Sequence, residues 1–179
     1  MIFRTKANSG TNFGVYNDVI VFEHGTEHQD VARVQVNNHT VWLDTNVFEM
    51  VITTTNGSIN FEGSHGFNLI KNDTLASTFY PAGTGTASVQ TGEYTIKTSE
   101  LMSTFKIKGD LTRAAVNKSW SLTSGSQMFK DATNLTQIVW YSEIDFTDLS
   151  EAFMGCTSLV DITLSNTNQI TNLASTFRD

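Results

Sequence analysis

Hydrophobic positions in the last part of the chain recur every 24 residues. Leu111-x-x-Ala114-x-Val116, Leu135-x-x-Ile138-x-Trp140 and Leu159-x-x-Ile162-x-Leu164 superimpose at that step, as do Phe105, Phe129, Phe153 and Phe177, and Leu122, Phe146 and Ile170. A constant step held by several independent columns predicts stacked repeats, each burying its apolar face on the next. Within a repeat the pattern predicts a short strand (Leu159 to Leu164), a loop and a short helix (Asn172 to Phe177). Leu149 and Phe153 are four residues apart, as are Leu173 and Phe177, which would stack each pair on one helix face. Asp148 and Glu151 have the spacing of a capping box. The first copy departs from the others, with Gly125 where Leu149 and Leu173 stand later and with strand-like alternation at Phe105 and Ile107. It marks the junction with what precedes.

Upstream the period is two rather than four. Val19 to Phe22 is a short apolar run, and Val31 to Val36 alternates before Asn37-Asn38-His39 leads into Val41-Trp42-Leu43. Two β-rich runs around an Asn pair predict a hairpin. Asn56-Gly57, between alternating Phe48, Met50, Ile52 and then Ile59, Phe61, predicts a second one. Further strands are expected at Phe67–Ile70, Ser77–Tyr80 and Gly92–Lys97, with a Gly-rich loop opened by the lone Pro81. Short strands at this spacing predict a small antiparallel sandwich. The expected fold class is therefore mainly β with short helices (α+β), in three parts. They are an N-terminal hairpin region over 1–45, a sandwich over 46–108, and a short repeat solenoid over 109–179.

Composition narrows the partners. With 11 Lys and Arg against 18 Asp and Glu, a net charge of −7 and no basic run, the chain is a poor match for nucleic acid, whose phosphates need cations. Apolar residues at 39% and charged ones at 16% exclude a disordered chain. No apolar run reaches the ~20 residues of a spanning helix, so membrane insertion is not expected. Met1 to Asn8 carries no hydrophobic export signal core.

Most candidate chemistry has a simpler structural reading. His24-Gly25-Thr26-Glu27-His28 matches a zinc-hydrolase pattern, but that chemistry needs both histidines on one helix face, and flanking strands with Gly25 and Thr26 argue for a loop. Asp145, Asp148 and Glu151, with Glu143 nearby, could hold calcium or cleave a glycoside, yet they lack the Gly-centred acidic spacing of a calcium loop. They read as a solvated face. Gly83-Thr84-Gly85-Thr86 has no Gly-Lys-Ser/Thr ending and precedes a strand, so it is a turn and not a phosphate loop. The sequons at Asn38, Asn56, Asn72, Asn117 and Asn134 are what a chain rich in Asn, Ser and Thr produces by chance. Cys156, the single cysteine, reads as a small core side chain. Tyr141 falls outside the apolar columns and is the candidate contact residue. No catalytic residue, metal or cofactor is assigned.

Gln127-Met128-Phe129-Lys130-Asp131-Ala132-Thr133-Asn134-Leu135-Thr136 and Glu151-Ala152-Phe153-Met154-Gly155-Cys156-Thr157-Ser158-Leu159 resemble BspA-like leucine-rich repeats over about residues 105–179. Thr91-Gly92-Glu93-Tyr94-Thr95-Ile96 is similar to the closing strand of polycystic-kidney-disease-type (PKD) Ig-like domains, and the Val31–Asp44 hairpin resembles small hairpins of phage baseplate and fibre proteins. BspA-like repeats occur in bacterial surface proteins and in some bacteriophage virion proteins. The resemblance implies a repeat core of Leu111, Leu135, Leu159, Ile138, Ile162, Trp140, Leu164, Phe129, Phe153 and Phe177. It also implies a non-enzymatic virion structural protein, a tail fibre, baseplate appendage or head decoration. Such a protein would be a homo-oligomer that meets other virion proteins through its N-terminal region and a host-surface protein or glycan through its repeats. The alternative is a secreted or cell-surface bacterial adhesin module.

Overall fold

The computed structural model describes residues 33–36, 39–42, 48–165 and 167–178. The apolar run Val19–Phe22 and the His24–His28 segment lie outside the described residues. The chain divides into two units, Met1–Thr45 and Asn46–Asp179. In the first, β1 (Arg33–Val36) pairs antiparallel with β2 (His39–Trp42), Val36 opposite His39.

The second unit is one mixed sheet of eight strands. In chain order these are β3 (Phe48–Gly63), β4 (Phe67–Lys71), β5 (Ser77–Tyr80), β6 (Gly83–Val89), β7 (Gly92–Thr98), β8 (Phe105–Ser119), β9 (Gln137–Trp140) and β10 (Asp161–Leu164). Their order across the sheet is β10-β9-β8-β3-β7-β4-β5, with β6 also on β3. β3 and β8 are the long strands, and both change direction part-way. The first half of β3 pairs with β7 and with the second half of β8; residues 59–63 pair with β6 and with residues 105–109 of β8. Register shifts fall between Thr53, Thr54 and Ile59. β6 and β7 follow one another along the same side of β3, and their junction at Gln90-Thr91 lies at the same level.

All three chain paths therefore bend along one line, and side chains replace the broken ladder there. Asp110 Oδ2 accepts the Ser58 amide at 2.7 Å. Asn56 Oδ1 accepts the Thr91 amide at 2.9 Å, and the buried Thr54 hydroxyl donates to the Gln90 and Gly92 carbonyls at 2.6 and 3.2 Å. Gly109, at φ +109°, has no room for a Cβ beside the Ser58 carbonyl; Gly57 has none beside the Asp110 carboxylate. The bend is large. A straight strand would hold Phe105 roughly 45 Å from Ser119, and Ser119 is the partner of Phe48. Yet the Phe48 and Phe105 rings lie 5.1 Å apart. The sheet folds back so that its halves face each other, and Phe61, Phe67 and Tyr80 join the same cluster at 4.8–5.7 Å.

These findings correct the expected α+β arrangement of a small antiparallel sandwich followed by a short leucine-rich-repeat solenoid. Strand β8 belongs to both regions, so β9 and β10 extend the same sheet. Asn56-Gly57 is not a hairpin turn but the kink within β3, because Asp110 takes the Ser58 amide that a two-residue turn would have bonded to the Thr55 carbonyl. The expected helices are absent among the described residues. Residues 125–132, 149–156 and 173–178 are successive turns instead. Gln127, Glu151 and Ser175 take φ values of 60°, 55° and 55°, and four residues on Asp131 and Gly155 take 61° and 73°; these left-handed residues stop a right-handed helix in each repeat.

The backbone accounting shows why. In these turns the even-numbered amides bond locally, Ala152 to Leu149 O and Met154 to Glu151 O. The odd-numbered ones cross to the following repeat: Gly125, Gln127, Phe129 and Asp131 donate to Asp148, Ser150, Ala152 and Met154. Leu149, Glu151, Phe153 and Gly155 donate in turn to Asn172, Ala174, Thr176 and Arg178. An α-helix would keep all of those donors within its own turn.

Replacing Gly109 with Ala should lower the stability of the unit by about 2 kcal/mol or more, through positive φ and overlap with Ser58. Asp110→Ala, which orphans the Ser58 amide, should cost about 1–3 kcal/mol. Gly83→Ala meets no neighbouring atom at its own positive φ and should cost less than Gly109→Ala. Urea unfolding of the three variants checks the ranking.

Candidate functional site

The strands of the three repeats lie side by side. Ala114, Ile138 and Ile162 are in register, as are Val116, Trp140 and Leu164, so the 24-residue step of the sequence is the pairing offset of β8, β9 and β10. Leu111, Leu135, Ile138, Trp140 and Phe129 are fully buried, and Phe153 nearly so. Trp140 keeps its indole N–H satisfied by the Ser119 and Ser142 hydroxyls at 3.2 and 3.0 Å. The last repeat is different. Leu159, Ile162 and Leu164 are only half-buried against the core, while Phe177 is 62% exposed and Val160 86% exposed. The rings of Phe129, Phe153 and Phe177 form one stack with spacings of 6.0 and 5.5 Å, and Phe177 ends it.

Polar side chains follow the same step. Arg113 Nε donates to Gln137 Oε1 at 2.8 Å, and Gln137 Nε2 to Asp161 Oδ2 at 2.7 Å. Asp148 and Glu151 are engaged in this way and not in a helix cap. Asp148 Oδ1 accepts the Ser150 amide and the Asn172 side-chain amide, both at 2.9 Å. The Ser150 backbone hydrogen bond, followed by side-chain hydrogen bonds, holds its carboxyl below the usual aspartate value. Glu151 Oε2 accepts from Lys130 at 2.6 Å and from Gln127 at 3.0 Å, and those hydrogen bonds lower its pKa as well. Among the described residues no group of three or more His, Cys, Asp and Glu is placed to hold a metal. Cys156 is buried, with its thiol donating to the Phe129 carbonyl at 2.9 Å, and burial pushes its pKa up to about 11.

Tyr141, the contact residue expected from sequence, is 61% exposed just beyond β9, its amide bonded to Val116 O at 2.9 Å. Trp120, beyond the end of β8, is also exposed, with Lys118 Nζ 5.7 Å from its ring centre.

A second site has no counterpart in the sequence reading. Where the bent halves of β3, β6 and β8 run together, their outward residues form two rows: Thr86, Asn60 and Lys108, then Thr84, Glu62 and Lys106. The first repeat continues this surface, since the Ile107 amide bonds Met128 O at 2.8 Å. Gln127, Lys130 and Asp131 rise beside it and enclose a trough of about 460 Å³. Lys106 faces Glu62 at 3.3 Å, and Lys108 faces Asp131 at 3.5 Å. Thr86 donates its hydroxyl to Asn60 Oδ1 at 2.7 Å. The only advance signal was alternation, which puts Lys106 and Lys108 on one face of their strand. Which strands lie beside them is invisible without the bend.

Compared with protein-family models, curated proteins and solved structures, the chain shows no match.

Two measurements follow from these contacts. The native protein should leave Cys156 unmodified by a thiol reagent at pH 8 and take up one equivalent when unfolded. The lowered pKa of Asp148 gives stability that is complete above the unfolded-state value, about pH 4. It is lost as pH falls through the lower folded value. Urea midpoints should thus fall below about pH 4 in the wild type and fall less in Asp148→Asn, which no longer titrates there.

Proposed function

We propose that this chain is a non-enzymatic structural protein of a bacteriophage particle, and that the outer edge of its third repeat is paired by further polypeptide, either a following repeat or a neighbouring subunit. The observation that carries the assembly reading is the outer edge of that repeat. Every odd-numbered turn amide from Gly125 to Asp131 and from Leu149 to Gly155 is bonded to the repeat beyond it. Those of Leu173, Ser175 and Phe177 have no partner among the described residues. They lie beside strand β10, whose far edge is unpaired among the described strands, and beside exposed Val160, Leu173 and Phe177. Unpaired strand edges flanked by apolar side chains are what another polypeptide pairs with. The bacteriophage setting is supported by the resemblance of residues 105–179 to BspA-like repeats. A bacterial surface module is the second reading, on the same resemblance.

Light scattering should show a mass that rises with concentration toward a closed oligomer. Val160→Lys with Phe177→Lys, both at exposed positions, should leave the far-UV spectrum unchanged and return the mass to that of one chain. A wild-type protein that stays a single chain at every concentration would sink the neighbouring-subunit reading and leave the edge to a following repeat. For the setting, peptides of the chain should appear in gradient-purified particles. Their recovery only from the bacterial envelope would replace the particle with the surface module.

A further inference from the structure

We infer that the trough between β6, β3, β8 and the first repeat is a binding site for an uncharged, hydroxyl-rich saccharide. The inference does not depend on the particle reading or on the last repeat. It moves the expected glycan contact away from Tyr141.

Charge is the first consideration. Lys106, Lys108 and Lys130 are three of the 11 cations of an acidic chain, gathered at one place. Each already has a carboxylate: Glu62, Asp131 and Glu151. Three cations and three anions leave no net charge. A phosphate or uronate would gain from the lysines and lose to the carboxylates beside them. The trough is not selective for an anion.

Polarity is the second. Phe61 and Ile107, the apolar residues of the lining, are 5% and 2% exposed, so they offer almost no surface to an apolar ligand. What remains is a set of hydrogen-bonding groups, with aliphatic lysine stems and threonine methyls beside them, in rows set by strand spacing, about 4.8 Å apart. The first row sets the acceptor Glu62 between the Thr84 hydroxyl and the donor Lys106; the second, Thr86 beside Asn60 beside Lys108, presents donors, since Thr86 occupies the Asn60 oxygen. The Thr84 hydroxyl and the Asn60 Nδ2 protons have no partner among the described residues. Thr86 fixes the Asn60 amide so that its protons face away from that bond. A sugar hydroxyl both donates and accepts, so adjacent hydroxyls can meet the mixed first row and the donors of the second. The Lys106 and Lys108 pairs, at 3.3 and 3.5 Å and about half-exposed, are loose enough to share their groups with a ligand.

The probes are maltotriose, chitotriose and trigalacturonate at millimolar concentration, added to ¹⁵N-labelled protein. The expected result is that one or both neutral trisaccharides shift the amides of residues 60–62, 84–86 and 106–108, with no effect of added salt. Asn60→Ala and Thr84→Val should each weaken that binding by about tenfold, with the rest of the spectrum unchanged. Absence of shifts with all three probes overturns the proposal. So does binding of trigalacturonate alone that disappears in salt, which would make the trough an anion site. Neutral-sugar shifts centred on Tyr141 and Trp120 instead would also overturn it.

Discussion

The carboxylate of Asp110, accepting the amide of Ser58 across a broken ladder, holds the place where the sheet turns back on itself. Three chain paths bend there together. A partly buried backbone amide without an acceptor loses part of a hydrogen bond's worth of stability. A crease through the middle of a sheet is therefore held best where side chains replace the interrupted bonds. Here Asp110, Asn56 and Thr54 supply the replacements, and Gly57 and Gly109 supply the space. The core depends on that solution, because Phe48 reaches Phe105 only if the strands fold over.

A second backbone device governs the repeats. Alternate turn amides leave their own segment and bond to the next one, while those between close small local turns. The arrangement resembles neither a helix nor a plain strand in its needs. It requires left-handed residues in each copy, at Gln127, Glu151 and Ser175 and, in the first two copies, also at Asp131 and Gly155. Gly155 takes the conformation freely; at the others it carries some strain. For two of the three copies, side chains anchored on the neighbouring repeat offset it: Gln127 bonds Glu151, and Glu151 bonds Lys130.

These devices explain what could be read from the sequence and what could not. The 24-residue spacing of Leu111, Leu135 and Leu159 was legible because an apolar column needs the same residue class at each step. The strand alternation at Phe48, Met50 and Ile52 was legible for the same reason. The helices were misread because Leu149 with Phe153 and Asp148 with Glu151 have helical spacing, while nothing in Glu151 announces a left-handed backbone. Asn56-Gly57 was misread as a turn because its chemistry suits one, and the competing partner, Asp110, lies 54 positions away from Asn56. The trough was illegible for a related reason. Asn60, Thr84, Lys106 and Lys130 come from four separate segments that only the bent sheet and the first repeat bring side by side.

Strand β8 is where these two kinds of backbone meet. Its first half carries Lys106 and Lys108 into the trough, and its second half carries Ala114 and Val116 into the parallel ladder. The energetics of the two differ in kind. The ladder is sealed by residues such as Leu135, Ile138 and Trp140, whose truncation would open cavities costing about 2–5 kcal/mol each. The trough is lined by ion pairs that are largely in water, where such pairs contribute about 0–1 kcal/mol. Stability therefore places strong demands on the buried columns and weak ones on the strand face of the trough, Asn60, Glu62, Thr84, Lys106 and Lys108, while Gln127 and Lys130 on its other wall also brace Glu151.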